Sequence, residues 1–290
     1  MPRIGLKLWS TNLDFIPVTK NLFAEKIFSY VELFTVPGTL DTIPMWRDLG
    51  IPYILHAPHS ASGLNLGDRD KRSANLELAQ EVDSFFSALL PEFVIFHAGV
   101  GDDLEEPVLQ IKSFKSRFPD MYKKILVENK PKLGLRAERC LGSSSEEIRF
   151  IIEGTKCGLC LDFSHAICYS IAAKKNWKST ITNLLAFKPK MFHLCDGAFS
   201  AEDTHEHLGC GEFDLLYLTG LIRRNQCVTL ETKKDTIKQD NRSHSSKSPV
   251  FMGLAGSEAV MRLPNNPSVG LQGFVDDVNF FKGLICRELG

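Results

Sequence analysis

The sequence carries no excess of either charge: 34 Lys and Arg stand against 35 Asp and Glu, a formal net charge of -1. That excludes a global basic field announcing nucleic acid and leaves room only for a local basic patch. No apolar run approaches the roughly 20 residues of a membrane span, so no membrane partner is expected. The opening MPRIGLKLWS lacks the apolar centre of a secretory signal. No glycine-rich phosphate loop joins a strand to a helix, which counts against a nucleotide-binding doubly wound sheet. Eight cysteines without such a signal are expected as free thiols in a reducing compartment, hence a cytoplasmic protein. The CxxC of Cys157 and Cys160 lies in an apolar, strand-like run. Alternation sends those two side chains to opposite faces, so they read as core and not as a zinc ribbon.

What is present is a repeated alternation. With 43% hydrophobic and 24% charged residues, 290 residues can bury a sizeable core. Strand-like apolar runs occupy residues 4–9, 30–35, 53–57, 93–98, 125–129, 157–162, 190–194 and 226–231. Between them, residues 74–90 place Leu76, Leu78, Ala79, Val82, Phe85, Phe86 and Leu89 at helical spacing. Ser143 to Glu147 supply an N-cap and an acidic first turn for a helix over 148–153, with Gly154 placed to stop it. Residues 169–187, 215–224 and, more weakly, 271–287 also read as helices. Eight near-continuous apolar strands alternating with helices imply a parallel sheet covered outside, and the chain has the size of a (β/α)8 TIM barrel. A single domain over 1–290 is expected. Residues 233–268, polar and then mixed, form an irregular insertion between the eighth strand and the last helix.

Ionisable residues end these strands. His56 lies in the third run, His97 in the fourth and Glu128 in the fifth. Asp162 ends the sixth with His165 three residues on, His193 lies in the seventh, and Glu231 ends the eighth. Asp203 and His205 follow the seventh run on a loop closed by Gly209-Cys210-Gly211. Glu32, in the second run, is set aside. In a (β/α)8 barrel the C-terminal strand ends meet at one mouth. Burying such groups without partners costs several kcal/mol each, and metal coordination satisfies them. One zinc takes about four protein ligands, so nine candidates suggest two or three ions sharing a bridging carboxylate. Imidazole and carboxylate together suit divalent first-row metals.

The segments LHAP, FHAG, LVEN, GLCLDFSH, FHLCD, DTHEHLGCG and LET, in this order, resemble the xylose-isomerase-like barrels. Within these they are most similar to endonuclease IV, the second family of apurinic/apyrimidinic endonucleases. The resemblance covers about residues 30–232 and the last helix. It implies three zinc ions in one pocket and cleavage of damaged DNA 5′ to an abasic site. Carried over by motif, His56, His97 and Glu128 would hold one zinc. Glu128 would bridge to a second held by Asp162, His193 and Glu231, and His165, Asp203 and His205 would hold the third. Glu128, Asp162 and Glu231 are the expected catalytic carboxylates. Clustered zinc ions lower the pKa of a bound water, clamp phosphate oxygens and stabilise the leaving alkoxide. The chain also departs from the family pattern. His59 stands where a tyrosine is usual, and Asn65 comes late. Phe163-Ser164 replaces Thr-Cys, no lysine follows Asp196, the loop after it is shorter, and FTVPGTLD offers no arginine to push into a duplex.

Two other readings fit the same barrel. A sugar isomerase or epimerase would use one Mn or Mg with Glu128, Asp162, His193 and Glu231, two carboxylates doubling as acid and base on a small sugar substrate. It has no need of His97, His165, Asp203 and His205 as ligands. A non-enzymatic metal- or partner-binding barrel would use 233–268 as its interaction segment. His59 and His207 read as surface groups or supports behind the ligands, with substrate contact as the alternative, and His244 as a solvated side chain in a Ser-rich loop.

Overall fold

The computed structural model describes residues 1–134, 136–233 and 271–288. Eight parallel strands close into a barrel in chain order: β1 (Arg3–Trp9), β2 (Tyr30–Phe34), β3 (Tyr53–His56), β4 (Val94–His97), β5 (Ile125–Glu128), β6 (Gly158–Asp162), β7 (Met191–Leu194) and β8 (Cys227–Leu230). β8 pairs with β1 in the register Leu6 to Leu230, so no sheet edge is left open. Each strand falls on its apolar run to within a residue at either end.

The helices among the described residues are α1 (Ile16–Ala24), α2 (Ile43–Arg47), α3 (Arg72–Leu89), α4 (Glu105–Arg117), α5 (Pro119–Tyr122), α6 (Ser145–Thr155), α7 (Phe163–Ala172), α8 (Trp177–Leu185), α9 (Leu215–Gly220) and α10 (Gln272–Glu288). None is long and apolar enough to cross a membrane. α6 starts as expected, with the Ser144 hydroxyl accepting from Glu147 N at 3.1 Å. Gly154 does not stop it. The helix runs on to Thr155 and Lys156 caps it with a φ of 61°. Gly154 instead lies against α4, where a Cβ would meet Val108 at 2.7 Å. The expected helix over 169–187 is two helices. Lys174 takes a φ of 54° and Asn176 caps the second, accepting from Ser179 N at 3.0 Å. The insertion expected over 233–268, and His244 within it, lie outside the described residues beyond Lys233.

Period-two alternation divides the core. Outward side chains join the helices in one large buried cluster. Tyr30, Ile54, Ile95, Leu126, Cys160, Met191 and Cys227 form a second, separate cluster inside the barrel. Gly5 makes room for it, since a Cβ there would stand 2.4 Å from the Tyr30 ring. Cys157 belongs to the outer cluster and Cys160 to the inner one, so the CxxC splits across the sheet as expected. Two residues further along the same strands stand Glu32, His56, His97, Glu128, Asp162 and His193. The apolar floor is therefore followed by a ring of ionisable groups at the C-terminal mouth.

Candidate metal centre

All nine expected residues reach this mouth, and Glu128 stands at its centre. Its Oε2 is 3.2 Å from His56 Nε2 and 3.1 Å from His97 Nε2, and its Oε1 is 3.0 Å from His165 Nδ1. Burial alone would raise the Glu128 pKa, but His97 and His193 hold it well below the ordinary value. Burial, with Lys130 nearby, pushes the His97 pKa down to about 3.

Asp162 and His165 owe their positions to the start of α7. Asp162 caps the helix, its Oδ1 accepting from His165 N at 2.7 Å. Asn129 bonds both the N–H and the C=O of Asp162, at 2.8 and 2.9 Å, and ties the end of β5 to the end of β6. Burial raises the Asp162 pKa to about 6 despite His165.

Asp203 and His205 come from the loop after β7. That loop is folded around Asp196, whose carboxylate accepts from the N–H groups of Gly197, Gly209 and Phe213 at 2.8, 2.9 and 3.1 Å. Asp203 Oδ2 lies 3.1 Å from His165 Nε2 and 2.6 Å from His205 Nε2, while its Oδ1 accepts from Ser164 Oγ at 2.5 Å. Burial would lower His205, but Asp203 raises it to about 9.

His193 faces several carboxylates. Its Nε2 is 3.0 Å from Glu32. Among the described residues its buried Nδ1 has no hydrogen-bond partner, although Glu231, Glu128 and Asp162 oxygens lie 3.0, 3.5 and 3.7 Å away. The Glu231 oxygen is close but out of line.

The donor chemistry fits divalent ions. His56 Nδ1 is 2.8 Å from Ala57 O and His205 Nδ1 is 2.6 Å from Glu231 O. A proton on Nδ1 satisfies each carbonyl and turns Nε2 toward a carboxylate oxygen, and a backbone carbonyl on the far nitrogen is how metal-binding imidazoles are oriented. Ligand atoms around a tetrahedral zinc are separated by roughly 3.3 Å, and these spacings are similar. Ligand atoms of His56, His97 and Glu128 cluster within 4.8 Å of one another, as do those of His165, Asp203 and His205. These are the first and third expected groups. The second does not form one such cluster: Asp162 groups with Glu128 and His165, while His193 groups with Glu128 and Cys160 and, separately, with Glu32 and Glu231.

The structure adds two residues to that second group. Glu32, set aside from the sequence, clusters with His193 and Glu231. Lys7 was missed. Its ammonium lies 2.8 Å from Glu32 and 2.5 Å from Glu231. A lone lysine inside the apolar run IGLKLW was the available signal. Of the other histidines, His59 is buried, stacks on His97 with ring centroids 6.1 Å apart, and accepts from Ala61 N. His207 bonds Asp277 of α10 at 2.9 Å.

A cavity of about 550 Å³ opens over the centre. His59, His97, His165 and Asp203 line its floor side, and Lys130, Leu133 and Glu138 of the loop after β5 line its wall.

Residues 44–249 match the xylose isomerase-like TIM barrel family. The chain belongs to that family. A curated relative, the probable endonuclease 4 of Aquifex aeolicus (strain VF5), is 25% identical over 215 residues, covering 67% of this chain and 74% of the relative. Among solved structures, a D-tagatose 3-epimerase-like protein superposes with a TM-score of 0.63 at 18% identity, covering 79% of this chain and 90% of that one. Endonuclease IV from Thermus thermophilus gives 0.56 at 17%, covering 79% and 91%. These two structures share the barrel with this member of the xylose isomerase-like family.

Proposed function

We propose that His56, His97, Glu128, Asp162, His165, His193, Asp203, His205 and Glu231 hold two or three divalent ions, zinc foremost, and that the chain is a metal-dependent phosphodiesterase of endonuclease IV type acting on DNA at abasic sites. The observation that carries this is the group formed by His165, Asp203 and His205, which stands beside the Glu128 group and is joined to it through His165. Proton transfer on a sugar needs one ion and two carboxylates and has no use for that extra position. The name borne by the Aquifex relative agrees with the same reading.

Divalent ions held there would act as Lewis acids toward the phosphoryl, attacking and leaving oxygens. The chain's own residues supply the arrangement. Glu128 belongs to the first group with its Oε2 beside His56 and His97, and its Oε1 lies 3.0 Å from His165 Nδ1 of the other. Ser164 and His165 fix the Asp203 carboxylate from two sides. Lys130 brings positive charge to the cavity wall, where a phosphodiester would approach. His59 and the loop after β5 line the cavity beside these groups.

The second reading is an isomerase or epimerase holding Mn or Mg at Glu128, Asp162, His193 and Glu231. The cavity volume of about 550 Å³, right for a small molecule, favours it. Assaying wild type, His205→Ala, Glu128→Gln and Glu231→Gln on an abasic-site duplex and on a panel of ketoses separates the two. The phosphodiesterase reading expects His205→Ala to lose about 100-fold or more on the duplex, a transition-state cost of roughly 3 kcal/mol. Ketose turnover that survives His205→Ala and is abolished by both Gln variants selects the isomerase.

A further inference from the structure

Lys7 stands inside the barrel on β1, between Glu231 at the end of β8 and Glu32 on β2. These three residues sit on neighbouring strands, so the ammonium bridges the seam where the barrel closes. The side chain is buried. The floor below holds it in place: Tyr30 OH lies 3.0 Å from Thr229 Oγ1, and that hydroxyl donates to Glu32 Oε2 at 2.5 Å. Its ammonium pairs with both carboxylates, at 2.8 Å to Glu32 and 2.5 Å to Glu231.

One atom connects this lysine to the metal centre. Glu231 Oε1 lies 2.5 Å from Lys7 Nζ and 3.0 Å from His193 Nδ1. A divalent ion binding His193 Nδ1 and this oxygen would share it with an ammonium, and the two like charges would repel across a few ångströms of low-dielectric interior. The other two groups share no ligand with the ammonium: it pairs with Glu32 and Glu231, and neither belongs to the His56–His97–Glu128 or the His165–Asp203–His205 set.

We propose that Lys7 is a built-in monovalent cation that weakens the divalent position beside His193, making it the last of the three to fill and the first to empty. Lys7 is thus a positioning residue: it holds Glu231 in place for the centre while discounting that carboxylate's attraction for a second cation. The inference rests on the metal-binding reading of the nine residues and adds an order of occupancy to it.

The test uses the full chain loaded with zinc, dialysed against zinc-free buffer, with the retained ions counted by elemental mass spectrometry. Wild type is expected to retain two ions, and Lys7→Met three, the third bound at least 10-fold more tightly in a chelator competition. Lys7→Met leaves two buried carboxylates without their ammonium, so the charge-balanced double variant Lys7→Met/Glu32→Gln is measured beside it and is expected to gain the same ion. Three equally retained ions in wild type, or no gain in either variant, overturns the inference. A wild type that retains no zinc overturns the metal reading beneath it.

Discussion

Asn129 and Asp162 hold each other end to end. The Asn129 carboxamide donates to Asp162 O at 2.9 Å and accepts from Asp162 N at 2.8 Å. The backbone carbonyl of Asn129 meets His165 Nδ1 at 2.9 Å. One side chain thus fixes the ends of β5 and β6, and with them Glu128, Asp162 and His165. Asn129→Ala leaves a buried N–H and a buried C=O unsatisfied, at about 1–3 kcal/mol each. Urea denaturation should show a loss of about 2–4 kcal/mol, and the variant should bind zinc more weakly than wild type. Unchanged stability would show that water replaces the carboxamide.

Arg72 of α3 and Glu106 of α4 form a two-pronged pair, with both bonds at 2.6 Å. Gln110 extends it, bonding Glu106, Asn75 and the carbonyls of Leu66 and Asp68. The Arg72 guanidinium holds the Glu106 carboxyl below its ordinary 4.5, against burial and with help from Gln110. A depressed carboxyl contributes stability above its unfolded pKa and loses it as pH falls through the folded value. Glu106→Gln should therefore melt several degrees below wild type at pH 7. That gap should close as pH drops below about 4. A gap independent of pH would mean that the charge of Glu106 contributes nothing.

Gly211 lies where no side chain fits. A Cβ there would stand 2.4 Å from both Asp196 Oδ1 and Gly197 N. Gly211→Ala should force the Asp196 clamp apart and displace the loop that carries Asp203 and His205. The barrel should persist, because the clamp sits at the rim. Circular dichroism should stay unchanged while zinc retention falls by about one ion per chain, because one position loses Asp203 and His205 and keeps only His165. Full retention would show that the loop adapts.

The ring of ligands was legible because its chemistry breaks the pattern of its surroundings. His56, His97, Glu128, Asp162 and His193 each interrupt an apolar strand, and period-two alternation then fixes which way they face. Lys7 interrupts its strand in the same way, but an ammonium is no metal ligand, so ligand chemistry does not single it out. Glu32 was visible and lacked a stated partner until His193 and Lys7 were placed beside it across the barrel. The break between α7 and α8 depends on one left-handed residue, Lys174, which helical spacing does not signal. The cavity wall formed after β5 comes from a loop stitched by isolated bridges such as Val100 to Cys140, and no periodicity encodes those. Local patterns carried the barrel and its ligands; contacts between distant segments supplied the rest.

The most direct test is strand cleavage by the zinc-loaded wild-type chain on a duplex with a single abasic site, at low salt. Low salt is required because a chain of net charge -1 is expected to grip DNA through only a few phosphate contacts. The account predicts a single nick 5′ to the abasic site, lost on chelation and restored by zinc, and weakened about 100-fold or more by His205→Ala. An intact duplex after prolonged incubation with the zinc-loaded protein would contradict the phosphodiesterase assignment.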